Sequence, residues 1–418
     1  MKRKIENMIS TASFKTQLGM VLILIGMPLA TCLRNVFPSL ELVNVFMVIS
    51  VLSIFNFRNL FELKFPSFNK WFSIILLMQI IQLVYAMLAG KYDFLMYHFY
   101  IIAVIFAIST NNRNIKYGMF LRIAFYATGF ISIVVLYQAT FGFKQLVGGG
   151  YLGTSRLFLE EGGDPINLAR VLTINIILIV VYNEKSIFEN VVKKMFLISS
   201  IIGLFAFRTR GAMVVALLAV VLYYWNITAH RKEKSEFQRI KLFLYFSGTI
   251  FGVVFLYYNN VYFFQKIGDF GDSLVSGVST YLSGNKSNTS VDPSTIVRYG
   301  TINKVFSSYS SVSWFNLFFG KGYHSMYIDV PLLQAFYDLG IFGFIYVFIT
   351  MILPFKNNLY KTSYYNEFLF IKLICLQVIF DQLFNGLPYF YMQFTPIILL
   401  VFFKQNQPGR IKIFNKRT

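Results

Sequence analysis

The sequence predicts an all-α polytopic membrane protein, and three observations carry that prediction. Of its 418 residues 56% are hydrophobic and only 13% charged, with a mean hydropathy of +0.59, a mixture that no water-soluble domain is built from. Apolar segments near the roughly 20 residues that a helix needs to cross a bilayer recur from Leu18 to Phe403, separated by short polar breaks. The basic residues, which give a net charge of +20, gather in alternate loops, as an orientation signal does.

Taken in order, the first segment, 18–33, follows the basic stretch "MKRKIENMISTASFK" and has no small-residue cleavage pattern behind it, which predicts a retained first helix and a cytoplasmic N-terminus. The segments that follow are 39–56, 71–89, 94–109, 117–140, 167–182, 195–207, 211–227, 242–259, 332–353, 367–384 and 388–403. The total is about twelve spans, the seventh and eighth parted only by "RTRG". With this topology about 24 of the 38 Lys and Arg lie inside and about 11 outside, the strongest inward signal being "AHRKEKSEFQRIK", so both termini are expected in the cytoplasm. The positive charge is thereby assigned to topology and not to nucleic acid. Cys32 and Cys375 fall within spans, outside any C-x-x-C or zinc spacing, and read as packing residues.

The outward face carries what topology does not ask for. Two long connections, 141–166 and 260–331, lie on that side, and connections of such length usually serve a function. Outward basic residues include Arg156, Arg208, Arg210 and Arg298. Guanidinium groups donate paired hydrogen bonds to phosphate oxygens and keep their charge, so these four are candidates for holding a diphosphate; anchoring of helix ends at headgroups is the plainer reading of Arg208 and Arg210. Arg170 falls about one turn inside its span, where a charge either snorkels to the interface or faces a partner or cavity. Lys372 and Asp381, within or at the end of the 367–384 span, are expected to be paired or cavity-facing for the same reason, with no assigned role. Outward aromatics such as Trp314, Tyr323 and Tyr327 suit sugar stacking, although interfacial anchoring is the plainer reading of them.

Three stretches resemble the O-antigen polymerase and O-antigen ligase superfamily. "TRGA", Thr209 to Ala212, looks like that family's Ser-Arg-Gly-Ala signature at the opening of a span. Upstream, "SRLFLEEGGDPINLA" is similar to its pattern of an arginine, a glycine-containing stretch and a Pro-x-Asn-x-x-Ala-like helix entry, matching Arg156, Pro165, Asn167 and Ala169. Downstream, Arg298, the G-x-G of Gly320 and Gly322, and "LLQAFYDLGIFG" are similar to its large periplasmic loop. The three occur in the family's order and in outward positions, over roughly residues 140 to 350. One departure stands out: where the ligases carry His-Asn, this chain has Asp329 and Val330, with His324 five residues earlier.

The resemblance implies a GT-C-like glycosyltransferase of the bacterial cytoplasmic (inner) membrane whose site faces the periplasm. Its substrate would be an undecaprenyl-diphosphate-linked oligosaccharide, polymerised into a surface polysaccharide such as O-antigen. Membrane lipids, and a polysaccharide chain-length regulator, are the partners it implies. Arg210, Arg156, Arg298 and Arg208 would hold the departing diphosphate, and Asp329, or else His324, would be the general base. Asn167, Gly320 and Gly322 complete the matched positions. No cofactor is expected, and no metal: D-x-D is absent, and His98, His230 and His324 lie far apart in the chain. The alternatives are a ligase that transfers glycan to lipid A core, which Asp329 disfavours, and a flippase or transporter, which the absence of repeated halves disfavours.

Overall fold

The computed structural model describes residues 2–36, 42–57, 70–110, 119–148, 165–183, 186–207, 210–230, 293–309, 313–328, 330–355, 365–384 and 388–405. Among these residues the regular structure is entirely helical: α1 (Lys2–Val36), α2 (Val43–Ile54), α3 (Lys70–Leu88), a 3-10 turn (Tyr92–Phe94), α4 (Leu95–Ser109), α5 (Phe120–Gly148), α6 (Pro165–Val181), α7 (Ile187–Phe207), α8 (Arg210–His230), α9 (Pro293–Tyr309), α10 (Trp314–Phe319), α11 (Pro331–Ile352), α12 (Tyr365–Phe384) and α13 (Tyr391–Gln405). Each apolar segment named from the sequence overlaps one of these helices, except 242–259, which lies outside the described residues.

Among the described residues five stretches are long and apolar enough to cross a membrane: Phe14–Leu33, Lys70–Leu88, Tyr92–Ser109, Phe120–Tyr137 and Pro331–Ile352. Shorter apolar helices accompany them at Val43–Ile54, Ile166–Val181, Gly211–Trp225 and Tyr391–Phe403. The sidedness of the side chains agrees with a lipid solvent. On α3, Gln79 and Gln82 are fully buried while Leu77, Ile80 and Val84 are exposed; on α11, Gln334 and Asp338 are buried while Phe342, Ile345 and Phe348 are exposed. Hydrocarbon offers no hydrogen bonds, so a helix in lipid turns its polar groups inward and its apolar groups out. This is a helical membrane protein.

The chain divides into two compact units, one made of Met1–Ala219 with Trp314–Thr418, the other of Val220–Ser313. In the first, α1 packs on α2, α5 and α6; α12 lies between α6, α11 and α13; and α13 also touches α4. Cys32 and Cys375 are buried free thiols.

A break in α11 shapes the end of this unit. Gly340 has φ 64 and ψ −151, outside the helical region, so the carbonyl of Tyr337 loses its regular acceptor role within the helix. The main-chain N–H of Lys321 takes it over, donating to Tyr337 O at 2.7 Å. Two close approaches make that docking possible. A Cβ at Gly320 (φ 81) would collide with the carbonyl of Asp338, and one at Gly340 would collide with the carbonyl of Phe318. The two glycine-containing motifs read separately in the sequence are therefore the two halves of one joint between α10 and α11. Gly340→Ala combines a backbone conformation essentially reserved for glycine, costing about 1–3 kcal/mol, with that collision, so the unfolding temperature of the detergent-solubilised protein should drop by several degrees, and an unchanged transition would show that the joint is not needed.

Candidate functional site

Two buried polar networks meet at the turn before α13. The first is centred on α6. Pro165 opens that helix at the first helical position, where its missing N–H costs nothing, and Asn167 and Arg170 follow at i and i+3 on one face. Arg170 Nη1 donates to Asn167 Oδ1 at 2.6 Å, and its Nε lies 2.8 Å from Asp381 Oδ2 on α12. The Nε is turned off the hydrogen-bond line, so this contact is an ion pair held by charge and not by a linear bond. Gln377 Nε2, one turn before Asp381, donates to Asp381 Oδ1 at 2.9 Å. The guanidinium also lies over the ring of Phe390, 5.9 Å from its centre. Both charged side chains are under a tenth exposed. Each makes the other tolerable in a medium where a lone charge costs at least about 2.5–3.5 kcal/mol.

The start of α8 is fastened to this network. The hydroxyl of Thr173, one turn beyond Arg170, lies 3.1 Å from both Ala169 O and Ala212 O. Gly211 leaves room for Phe380, whose Cε1 would be 2.5 Å from a Cβ at that position. Ala212 thus abuts α6, and Gly211 abuts Phe380, the residue preceding Asp381.

The second network surrounds Asp338, which is fully buried. Gln334 Nε2 donates to its Oδ1 at 2.8 Å, Tyr389 OH donates to its Oδ2 at 2.6 Å, and the main-chain N–H of His324 donates to the same carboxylate. Gln334 also braces the loop, accepting from Ile328 N at 2.6 Å and donating to Met326 O at 2.9 Å. Tyr323 stacks on Tyr389 with ring centroids 4.5 Å apart. Its hydroxyl lies 2.7 Å from His98 Nε2, His98 Nδ1 lies 2.7 Å from Gln79 Oε1, and Gln79 Nε2 donates to Tyr346 OH at 3.0 Å. The donor order that satisfies this chain is Tyr323 O–H to His98 Nε2, then His98 Nδ1–H to Gln79. Burial first, and the Asp338 charge second, hold the Tyr323 phenol above its usual range, so it stays a donor.

His324 sits at the edge of this network. It alone among the described non-glycine residues has positive φ, 49°, a conformation that stores strain unless the surroundings impose it. The Asp338 grip on its N–H is that imposition. The imidazole is half-buried, its ring 4.7 Å from that of Phe94, and its Nδ1 is buried without a hydrogen-bond partner. Partial burial, then the nearby Lys91 cation, push its pKa below the ordinary imidazole value, leaving a neutral ring at pH 7.

The residues expected from the sequence fare differently. Asn167 is 2% exposed and bound to Arg170; Gly320 and Gly322, with φ 81 and 115, shape the loop that presents His324. Arg210 is the first residue of α8 and Arg298 lies in α9, in the second unit, but the side chains of both are outside those described. Arg156, Arg208 and Asp329 lie outside the described residues altogether. Arg170 and Asp381, each flagged only as costly, turn out to be partners; Lys372 is half-buried. Sequence reading missed Asp338, Gln334, Tyr389, His98 and Gln79. The signal was present as polar residues at i and i+4 within apolar helices, Gln334 with Asp338 and Gln377 with Asp381. Among the described residues no three His, Cys, Asp or Glu side chains come together as a metal site. Comparison with protein families, with characterised proteins and with solved structures finds no match.

Removing one member of the buried pair strands the other. Arg170→Ala and Asp381→Ala should each destabilise by about 3–5 kcal/mol, whereas Arg170→Met combined with Asp381→Leu should come close to wild type. Thermal unfolding in detergent checks this; equal losses in the single and double variants would mean the pair does not act as a pair.

Proposed function

We propose that the protein is a glycosyltransferase of the bacterial cytoplasmic membrane that polymerises undecaprenyl-diphosphate-linked oligosaccharide repeat units into a surface polysaccharide such as O-antigen, with its site on the periplasmic side. The topology of about twelve spans and the GT-C-like architecture belong to this reading. The observation that supports it is that stretches far apart in the chain, each resembling a superfamily motif, come together: Thr173 of α6 reaches both Ala169 and Ala212, and Gly320 abuts Asp338 in the segment that ends at Gly340.

The chemistry this asks of the chain is modest. The acceptor hydroxyl attacks the anomeric carbon of the donor, the bond from that carbon to the diphosphate oxygen breaks, and the hydroxyl proton passes to a base. The diphosphate leaves as an anion, so it needs cations aimed at its oxygens and no proton donor. Arg210, at the first turn of α8, is the leading diphosphate ligand, with Arg156, Arg208 and Arg298 as the others. His324 is the base this reading favours. Its ring is neutral at pH 7, it is partly open, and its backbone is pinned by Asp338, which holds a catalytic group in place. Asp329 is the second choice.

Deleting the gene and resolving the surface glycan by size tests the reading: loss of the long ladder with one repeat unit retained is expected. Loss of all glycan from lipid A core would indicate a ligase, and cytoplasmic accumulation of lipid-linked repeats a flippase. Arg210→Ala should abolish chain growth while the protein stays in the membrane, and Arg210→Lys should restore little of it, because an ammonium group does not reproduce a paired donor. Growth at the wild-type rate would remove Arg210 from the site. With His324 as base, kcat/KM for the purified protein should fall on the acid side as the ring takes up a proton, with the limb at a pH below that of an ordinary imidazole, about 6.5. In His324→Gln the rate should drop at least about a hundredfold, the low end of a general-base contribution, and the acid limb should disappear; persistence of the limb would assign it to another group.

A further inference from the structure

The short helix α10 is turned the wrong way round for a helix in water. Its sequence, Trp-Phe-Asn-Leu-Phe-Phe, places aromatic rings at i, i+1, i+4 and i+5, which fall on one face. On a surface helix in water such a face is the buried one, and a residue like Asn316 points outward. Here the rings are the exposed side: Trp314 is 77% exposed, Phe315 68%, Phe318 45% and Phe319 42%, while Asn316 and Leu317 are half-buried. The glycine joint imposes this orientation. The carbonyls of Leu317 and Phe318 lie against Gly340, and the N–H of Gly320 closes the helix on Asn316 O at 2.9 Å. The rings therefore belong to a docked helix and not to a loose end.

The same apolar surface continues on α11. Every residue from Pro331 to Gly340 is buried or half-buried, whereas beyond the break Phe342, Ile345, Phe348 and Ile352 are exposed and form that helix's lipid-facing stripe. Helix α10 meets α11 where this change occurs. Ring centroids of Phe319 and Phe318 lie 5.9 and 6.4 Å from that of Phe342, and Phe315 lies 4.8 Å from Phe319, so the aromatic face prolongs the lipid stripe. Helix α3 marks the same level independently. Its exposed stripe of Leu77, Ile80, Val84 and Leu88 runs to Tyr92, while Ala86 and Phe94 at this end pack with Tyr323. His324 follows, its ring 4.7 Å from that of Phe94.

Composition says what covers the face. The boundary between headgroups and acyl chains favours Trp and Tyr, and it takes Phe on the apolar side of a segment lying in its plane. Directly after α10 the chain turns polar, with Lys321, His324 and Ser325 leading to Tyr327, which is 57% exposed. Tyr323, grouped with the outward aromatics by sequence, is 1% exposed and takes no part in this surface.

We infer that α10 is an interfacial membrane segment, its aromatic face seated between the headgroups and acyl chains of the leaflet where α3 ends and α11 begins, and that it holds the His324 loop at headgroup level. The partner is the phospholipid of that leaflet. This follows from the helical membrane class and does not rest on the polymerase reading.

The chain has three tryptophans, so Trp71→Phe with Trp225→Phe leaves Trp314 as the sole emitter. The full chain is reconstituted into phosphatidylcholine vesicles brominated either high or low on the acyl chains, and iodide is added from the aqueous side. The shallow bromines should remove more Trp314 emission than the deep ones, and iodide should remove little, as for a ring about 5–10 Å into the boundary. With Trp71, Trp225 and Trp314 all changed to Phe, Tyr327→Trp reports the loop: iodide and a headgroup-bound spin label should quench it strongly, and both bromolipids weakly. Should these variants fail to fold, the difference in bromine quenching between wild type and Trp314→Phe reports the same ring. Strong iodide quenching of Trp314 would place α10 in water, stronger quenching by the deep bromines would place it inside the bilayer, and protection from every quencher would mean that protein covers it; each overturns the anchor. Acyl-chain quenching of the Tyr327→Trp reporter as strong as that of Trp314 overturns the headgroup level of the loop.

Discussion

A guanidinium inside a bundle whose outer solvent is hydrocarbon must be neutralised from within, and the meeting of Arg170 with Asp381 satisfies that requirement. Much of the first unit is arranged around it. Asn167 and Gln377 supply the neighbouring hydrogen bonds, Phe390 lies against the cation, and Thr173, one turn along, holds the opening of α8. Burying an ion pair is a poor way to gain stability, since desolvation offsets most of the attraction. Its place among apolar helices therefore points to geometry: it fixes the rotation of α6 against α12, the two helices that Ala212 and Gly211 meet.

The Tyr389–Phe390 turn couples this pair to the Asp338 network. Tyr389 donates to Asp338 while the next residue faces Arg170, so a shift in either network is felt by the other within one peptide unit. Asp338 in turn holds the main chain of His324 and, through Gln334, the loop from Met326 to Ile328. The His98 chain extends the polar framework into α3 and α11. Polar networks of this kind, satisfied at most members, rigidify a core and specify one arrangement of it.

The proposed reaction would draw chiefly on residues outside these two networks. A departing diphosphate needs uncompensated cations near the membrane surface, a requirement suited to arginines at helix starts and in long connections. His324 stands in the loop between the glycine joint and α11, where a positive φ and a neutral ring lie together.

The solvent, the helical class and the apolar stretches within the helices were legible in the sequence, because a bilayer imposes length and apolarity on each span independently of the others. The apolar segments proposed from the chain overlap α1 through α8 and α11 through α13 for that reason. The glycine motifs were legible as motifs but not as two sides of one joint, since Gly320 and Gly340 become partners only when α10 folds back on α11. Arg170 and Asp381 each announced a cost, and nothing in one dimension said that the two would cancel. Helical periodicity reports which face a residue occupies, not which helix that face meets; the tertiary structure alone decided the partner, and with it the charge of the site.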